Sequence, residues 1–160
     1  MKKSTTLTYG ALIASIYVIL TLLSQMAGLA SGPIQIRISE ALCILPLFTP
    51  AAVPGLFAGC IISDLITGCA PWDVIFGSLA TLLGALGTYA LRKFNYISLI
   101  PPIIANTLIL PFILSMVYSF DGSLIYFAVT IFAGELISVG ILGTLLRKSL
   151  EKYKGAIRWN

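Results

Sequence analysis

Residues 32–42 read GPIQIRISEAL, and they place polar and charged side chains inside a chain that is otherwise strongly apolar. On insertion scales a charged side chain at the centre of a bilayer costs at least about 2.5 kcal/mol, so such residues are usually paired or functional. Gln35, Arg37 and Glu40 are therefore the first candidates for a site that binds a polar solute.

The composition of the whole chain indicates that this segment belongs to a membrane protein. The 160 residues are 58% hydrophobic and 10% charged, with a mean hydropathy of +1.00, whereas a soluble domain has about 25% charged residues. At roughly 20 residues per span, the length accommodates five or six transmembrane helices. We predict an all-α integral membrane protein with a single domain over residues 1–160.

Breaks in the apolar pattern predict where the spans end. The predicted helices cover residues 6–30, 40–49, 51–67, 73–91, 96–119 and 123–146, with turns at Ser31–Pro33 and Asp121–Gly122. The residue before a proline avoids the α region, so a break is expected at Thr49-Pro50. One kinked helix over residues 40–67 would give five spans, and two helices that meet at Pro50 would give six.

The distribution of basic residues favours six spans without deciding the question. Cytoplasmic loops carry an excess of Lys and Arg. Six spans with a cytoplasmic N-terminus place nine of the ten basic residues inside and leave only Arg37 outside, whereas five spans with an outer N-terminus place eight inside. In both cases the C-terminus is cytoplasmic, with a basic tail over residues 147–160.

Four further polar residues lie in or beside the predicted spans. Asp64 lies late in its helix, where it cannot act as a cap, and Trp72 could either stack on a planar ligand or anchor the chain at the membrane interface. Glu135 lies halfway along the last span, and Asn106 is a milder candidate of the same kind. Together with Gln35, Arg37 and Glu40, these residues form the predicted substrate-binding set.

Structural roles compete with the binding role for several of these charges. Arg37 and Glu40 are three residues apart, so in a helix they could form an ion pair that satisfies itself. Glu135 could bind the solute, pair with Arg37 or carry protons. Asp73 is better explained as a helix N-cap or as an acidic residue in a first turn.

The first span carries a face of small residues, formed by Gly10, Ala11, Ala14 and Ser15. Small residues let helices approach closely. This face could pack within the chain, as we expect for Gly55-x3-Gly59 and Ala80-x3-Gly84, or it could dock a partner protein. The spacing alone leaves both possibilities open.

Absent motifs argue against other function classes. The chain has no histidine, no G-x4-G-K-[ST] loop and no G-x-S-x-G sequence, so we predict no catalytic residue, metal or cofactor. The basic residues lie at span ends, as expected for bilayer contact and not for nucleic acid. Cys43, Cys60 and Cys69 are interpreted as small buried apolar residues.

Two segments carry a resemblance to a known family. Residues 32–60, with the core QIRISEAL, and residues 72–92, with the run FGSLATL, resemble the QueT family. These are small membrane proteins regarded as solute-binding S components of energy-coupling factor (ECF) transporters. The resemblance implies six helices with both termini cytoplasmic, in a bacterial cell membrane.

The resemblance also implies a solute and partners. The solute would be a queuosine precursor or related deazapurine, and the partners would be a transmembrane coupling protein and two ATPase subunits. The small-residue face of the first helix would dock the coupling protein, although Ser15 departs from the usual alanine pattern and leaves the contact register open.

A deazaguanine is chemically compatible with the candidate residues. It presents a ring N–H and an amino group side by side, which a carboxylate can accept in a bidentate manner. Other planar solutes with amino groups would fit too. The alternative function is an autonomous proton-coupled secondary transporter or an oligomeric channel, with Glu135 carrying protons; a membrane scaffold without a ligand is a third, weaker hypothesis.

Overall fold

The fold is a bundle of helices, seen in a computed structural model that describes residues 3–30, 35–94, 96–117 and 123–152. The elements follow the order α1 (Lys3–Met26), a 3₁₀ segment (Ile38–Leu47), α2 (Ala52–Ile66), α3 (Pro71–Ala90), a 3₁₀ turn (Tyr96–Leu99), α4 (Ile100–Val117), α5 (Leu124–Glu135), a π segment (Leu136–Gly143) and α6 (Thr144–Lys152). The last three form one continuous helix. The predicted turns at Ser31–Pro33 and Asp121–Gly122, and most of the predicted basic tail, lie outside the described residues.

Four of these helices are long and apolar enough to cross a membrane. They cover Ser4–Met26, Pro71–Ala90, Tyr96–Met116 and Leu124–Lys152. Large apolar side chains cover the outside of the bundle, including Leu83 (55% exposed) and Leu108 (62% exposed), as lipid contact requires. The prediction of an all-helical, multi-pass membrane protein is confirmed, whereas the six-span count and the side of each terminus stay predictions.

The break at Thr49-Pro50 is confirmed, and it separates two short elements. The 3₁₀ segment ends at Leu47 and α2 begins at Ala52. A 3₁₀ helix rises about 2.0 Å per residue, so the ten residues of this segment extend roughly 20 Å. The hydrocarbon core is about 30 Å thick. The two segments are therefore short for single spans, which is why the span count is not settled by helix length.

Several predicted helix boundaries are wrong: the last helix, predicted to end at Leu146, continues to Lys152, and two others lie near the buried charges. The first helix was predicted to reach Ala30, but α1 ends at Met26, because Gly28 takes a positive φ of 71° and the Leu29 N–H donates to the Ser24 carbonyl (3.0 Å). Such a left-handed glycine typically follows a helix C-terminus. The helix predicted from Asp73 begins at Pro71, with Ala70 as its N-cap. Asp73 is therefore a first-turn acid and not the cap.

Close contacts at glycines hold the bundle together. A Cβ added to Gly55 would lie 2.7 Å from the Gly10 carbonyl oxygen, and one on Gly59 would lie 2.8 Å from the Tyr17 Cβ. The Gly55-x3-Gly59 face therefore packs α2 against α1 within the chain, as predicted. In the same way, a Cβ on Gly84 would lie 2.7 Å from Pro102 Cα, so α3 packs directly against α4.

Candidate functional site

The first buried acid, Glu40, lies in the 3₁₀ segment and is only 2% exposed. The Tyr17 hydroxyl, which comes from α1, donates a hydrogen bond to its Oε1. The Cys43 thiol, one turn further along the segment, donates to its Oε2 (3.1 Å). Side chains of the protein therefore occupy both carboxylate oxygens of Glu40.

The second buried acid, Asp64 of α2, pairs with Arg37. Arg37 Nη1 lies 3.9 Å from Asp64 Oδ1, and the Cys60 thiol donates to Asp64 Oδ2 (3.4 Å). The suggested ion pair between Arg37 and Glu40 is wrong. The helical segment begins at Ile38, and Arg37 precedes it with an extended backbone (φ −102°, ψ 105°), so the i,i+3 geometry of a helix does not apply.

The third buried acid, Glu135, ends α5 and is bound on one side only. Asn106 of α4 donates from Nδ2 to Glu135 Oε1 (2.8 Å), and the two residues are 3% and 6% exposed. Among the residues that the structure describes, Glu135 Oε2 is buried without a hydrogen-bond partner, and so are the hydroxyl oxygens of Thr107 and Ser138. This end of the site therefore has polar atoms that the described protein does not satisfy.

These groups form one polar cluster across the bundle. Glu40 is near enough to interact electrostatically with both Asp64 and Glu135, and a Cβ on Gly134 would collide with the Gln35 carbonyl. The backbone at Gln35 therefore lies against α5, beside Glu135. We define the polar cluster as the five predicted residues that the structure brings together: Arg37, Glu40, Asp64, Asn106 and Glu135.

Two other predicted or competing residues lie around the polar cluster. Trp72 is 57% exposed, its ring stacks on Phe76 (centroids 6.1 Å apart), and it borders an apolar groove of about 830 Å³ formed with α4. This placement suits an interface anchor. Asp73 lies close to the cluster, since a Cβ on Gly77 would be 3.5 Å from Asp64 Oδ2 and 4.0 Å from Asp73 Oδ1.

Sequence reasoning missed the polar stripe on α1 that supports the site. Tyr17, Thr21 and Ser24 follow one another at helical spacing. The Thr21 hydroxyl lies 2.8 Å from Ser39 Oγ, and the Ile38 N–H donates to Ser24 Oγ (2.9 Å). The spacing i, i+4, i+7 on an otherwise apolar helix was the signal that could have revealed this stripe.

The interpretation of the three cysteines as small buried apolar residues is only partly correct. Cys43 and Cys60 are fully buried, as predicted, but their thiols also donate to the carboxylates of the site. Cys69 is only partly buried, and all three thiols are free. Burial raises the pKa of the Cys69 thiol, which lies in the turn after α2. Within the described residues no group of three acids or cysteines is arranged to hold a metal ion.

The predicted docking residues divide into two pairs. Gly10 and Ala14 are buried against α2, whereas Ala11 and Ser15 are exposed. All four border an open, mainly apolar groove of about 940 Å³, whose other wall includes Pro54, Ala58 and Ile62 of α2. The small-residue face thus packs within the chain on one side and remains open on the other.

Comparisons with known proteins point to one family. The sequence model of the QueT transporter family matches residues 7–152. The queuosine precursor transporter QueT of Lactococcus lactis subsp. cremoris (strain MG1363) is 38% identical over 99 residues. The aligned part covers 59% of this chain and 57% of that relative, a little over half of its length. No solved structure gives a significant match to this chain.

Proposed function

The chain belongs to the QueT transporter family, and we propose that it is the solute-binding membrane subunit of an ATP-driven, ECF-type importer. The proposed solute is a queuosine precursor or a related deazapurine, in line with the name of the Lactococcus lactis relative, and the proposed location is the bacterial cell membrane. The observation that carries the proposal is the polar cluster, in which four buried side chains and the partly exposed Arg37 come together from separate parts of the chain.

The charges of the polar cluster suit a solute that donates hydrogen bonds. Three buried carboxyl groups, those of Glu40, Asp64 and Glu135, accompany the single guanidinium of Arg37. Carboxylates accept strong, charge-assisted hydrogen bonds from N–H groups. The amino edge of a deazaguanine, or an ammonium on its side arm, supplies such donors, which is why we propose this solute class.

Partner subunits would supply the energy. The 160 residues contain no G-x4-G-K-[ST] sequence, the motif with which P-loop proteins bind a nucleotide. We therefore assign ATP hydrolysis to two ATPase subunits. A coupling protein would transmit their conformational change to this chain. The groove bordered by Ala11 and Ser15 is the proposed docking surface for the coupling protein, since exposed small residues let another helix approach closely.

Reconstituted uptake tests the energy source. In proteoliposomes that contain this chain, a coupling protein and two ATPases, deazapurine uptake should require ATP on the side of the membrane where the ATPases lie. The purified chain alone should show no uptake under a proton gradient. Accumulation by the chain alone, driven by that gradient, would contradict the proposal and support the secondary transporter, in which Glu135 carries protons.

Replacing Ala11 with tryptophan tests the docking surface. Because Ala11 is exposed, Ala11→Trp should leave the melting temperature and solute affinity unchanged but abolish co-purification with the coupling protein and ATP-driven uptake. Leu12→Trp is the matched control, since Leu12 is 55% exposed and faces away from the groove. Equal retention of the partner by both variants would place docking elsewhere.

A further inference from the structure

The three buried acids of the polar cluster differ in how the protein occupies their oxygens. Both oxygens of Glu40 have side-chain partners. Both oxygens of Asp64 do too, although the contact with Arg37 is long. Glu135 has one partner, Asn106, and its Oε2 is buried with none. Among the three acids, only Glu135 has a buried oxygen with neither a hydrogen bond nor an ionic contact within the described residues.

We infer that Glu135 is the acid that contacts the solute, with its Oε2 accepting a hydrogen bond from an N–H or ammonium group. This inference rests on the proposed function and specifies which residue of the polar cluster recognises the solute. A buried acceptor without a partner destabilises a fold, and a donor on the solute would remove that penalty. Glu40 and Asp64 instead hold the surrounding elements in place.

The surroundings of Glu135 support this role. Asn106 fixes the carboxyl group from α4. Thr107 follows Asn106 directly, and Ser138 lies three residues after Glu135. Within the described residues, the hydroxyl oxygens of both are also buried without hydrogen-bond partners. Glu135 lies directly before the π segment, and π turns are frequently found at functional sites.

The inference also defines the chemical class of the solute. A bound molecule must present a hydrogen-bond donor to Glu135 Oε2, and polar atoms that Thr107 and Ser138 can bind would fit beside it. A 7-aminomethyl-7-deazaguanine has three possible sources of that donor: the ring N–H, the amino group beside it on the ring edge, and the ammonium on its side arm. The three sources can be separated with analogues that lack the ammonium, or both the ammonium and the amino group, and that keep the ring N–H.

The test is calorimetric titration of the purified full chain and of Glu135→Gln with three ligands. These are 7-aminomethyl-7-deazaguanine, 7-deazaguanine and 7-deazahypoxanthine. Losing a hydrogen bond to a charged group should weaken binding about 10- to 100-fold. If the ammonium is the donor, only the first ligand loses affinity in the variant. If the ring amino group is the donor, the first two lose affinity and the third does not. If the ring N–H is the donor, all three lose affinity while the melting temperature without ligand is not lowered.

The melting temperature without ligand is the control for folding. Glutamine can keep the hydrogen bond from Asn106 while it removes the buried acid, so Glu135→Gln should melt at or above the wild-type temperature. Glu151→Gln, at an exposed site, should change neither melting nor binding. Wild-type affinity of Glu135→Gln for all three ligands, or a lower melting temperature with equal losses for all three, would overturn the inference.

The same titrations separate this inference from the proposed function. If the wild-type chain binds none of the three ligands, the proposed solute class fails and the inference fails with it. If the wild-type chain binds them and Glu135→Gln binds them equally well, only the inference fails. Loss of binding in Glu40→Gln alone, with its fold intact, would then transfer the contact to Glu40.

Discussion

The α1–α2 region and the α4–α5 region differ in whether their buried polar groups have partners. In the first region, which comprises α1, the 3₁₀ segment and α2, the carboxylate oxygens of Glu40 and Asp64 all have side-chain partners. In the second, which comprises α4, α5 and the π segment, one carboxylate oxygen of Glu135 and the hydroxyls of Thr107 and Ser138 have no hydrogen-bond partner in the described part of the chain.

Close backbone contact occurs in both regions. Gly55 and Gly59 pack α2 against α1, and Gly134 of α5 lies directly against the Gln35 carbonyl. The regions differ in the pairing of their polar groups, and a region whose buried polar groups are all paired is stable without a ligand. A region with unmatched polar groups gains stability when a ligand supplies the partners. On this difference we base the proposal that α1–α2 is the scaffold and that α4–α5 recognises the solute.

The largest expected effect on stability comes from removing a hydrogen bond in the α1–α2 region. Tyr17→Phe removes the hydroxyl that donates to Glu40 and leaves a buried carboxylate oxygen unsatisfied. We expect the free energy of unfolding to fall by about 1–3 kcal/mol, measured by denaturation in mixed micelles.

The matched control for this change is Tyr126→Phe. Tyr126 is 49% exposed, so losing its hydroxyl should leave the stability close to that of the wild type. Equal stabilities of the two variants would show that the hydrogen bond from Tyr17 does not hold the α1–α2 region together.

A smaller effect on stability, of opposite sign, is expected in the α4–α5 region. Thr107→Val removes a buried hydroxyl that has no hydrogen-bond partner. Because no bond is lost and a polar group no longer has to be buried, the free energy of unfolding should stay constant or rise by up to about 1 kcal/mol.

Thr21→Val provides the comparison from the α1–α2 region. The Thr21 hydroxyl lies 2.9 Å from the Tyr17 carbonyl and 2.8 Å from Ser39 Oγ, so its loss should destabilise the chain by about 1 kcal/mol. A loss of stability in Thr107→Val as large as that in Thr21→Val would remove the distinction between the two regions.

The membrane fold could be predicted from the sequence because its signals are local. Long apolar runs and the Thr49-Pro50 break appear directly in the chain, and the structure has helices over these runs and a break at that place. The 3₁₀ form of residues 38–47 was not predicted, since short apolar runs are equally compatible with other helical forms. The early end of α1 depends on the positive φ at Gly28, which a long apolar run concealed.

The membership of the polar cluster was predicted better than its pairings. A charged residue inside an apolar run can be recognised from the sequence alone, so Arg37, Glu40, Asp64 and Glu135 could be selected as candidates. Their partners come from other elements: Arg37 meets Asp64, and Glu40 meets Tyr17. These pairings depend on how α1, α2 and the 3₁₀ segment pack, and no local pattern encodes that arrangement.

The most direct test of the central claim is the melting temperature of the detergent-purified chain with and without 7-aminomethyl-7-deazaguanine. A ligand that binds only the folded state stabilises it by about 2.7 kcal/mol at 100 times its dissociation constant. The account predicts a saturable rise in melting temperature with this ligand and none with unrelated vitamins. An unchanged melting temperature at every ligand concentration would contradict the assignment of the polar cluster as a deazapurine site.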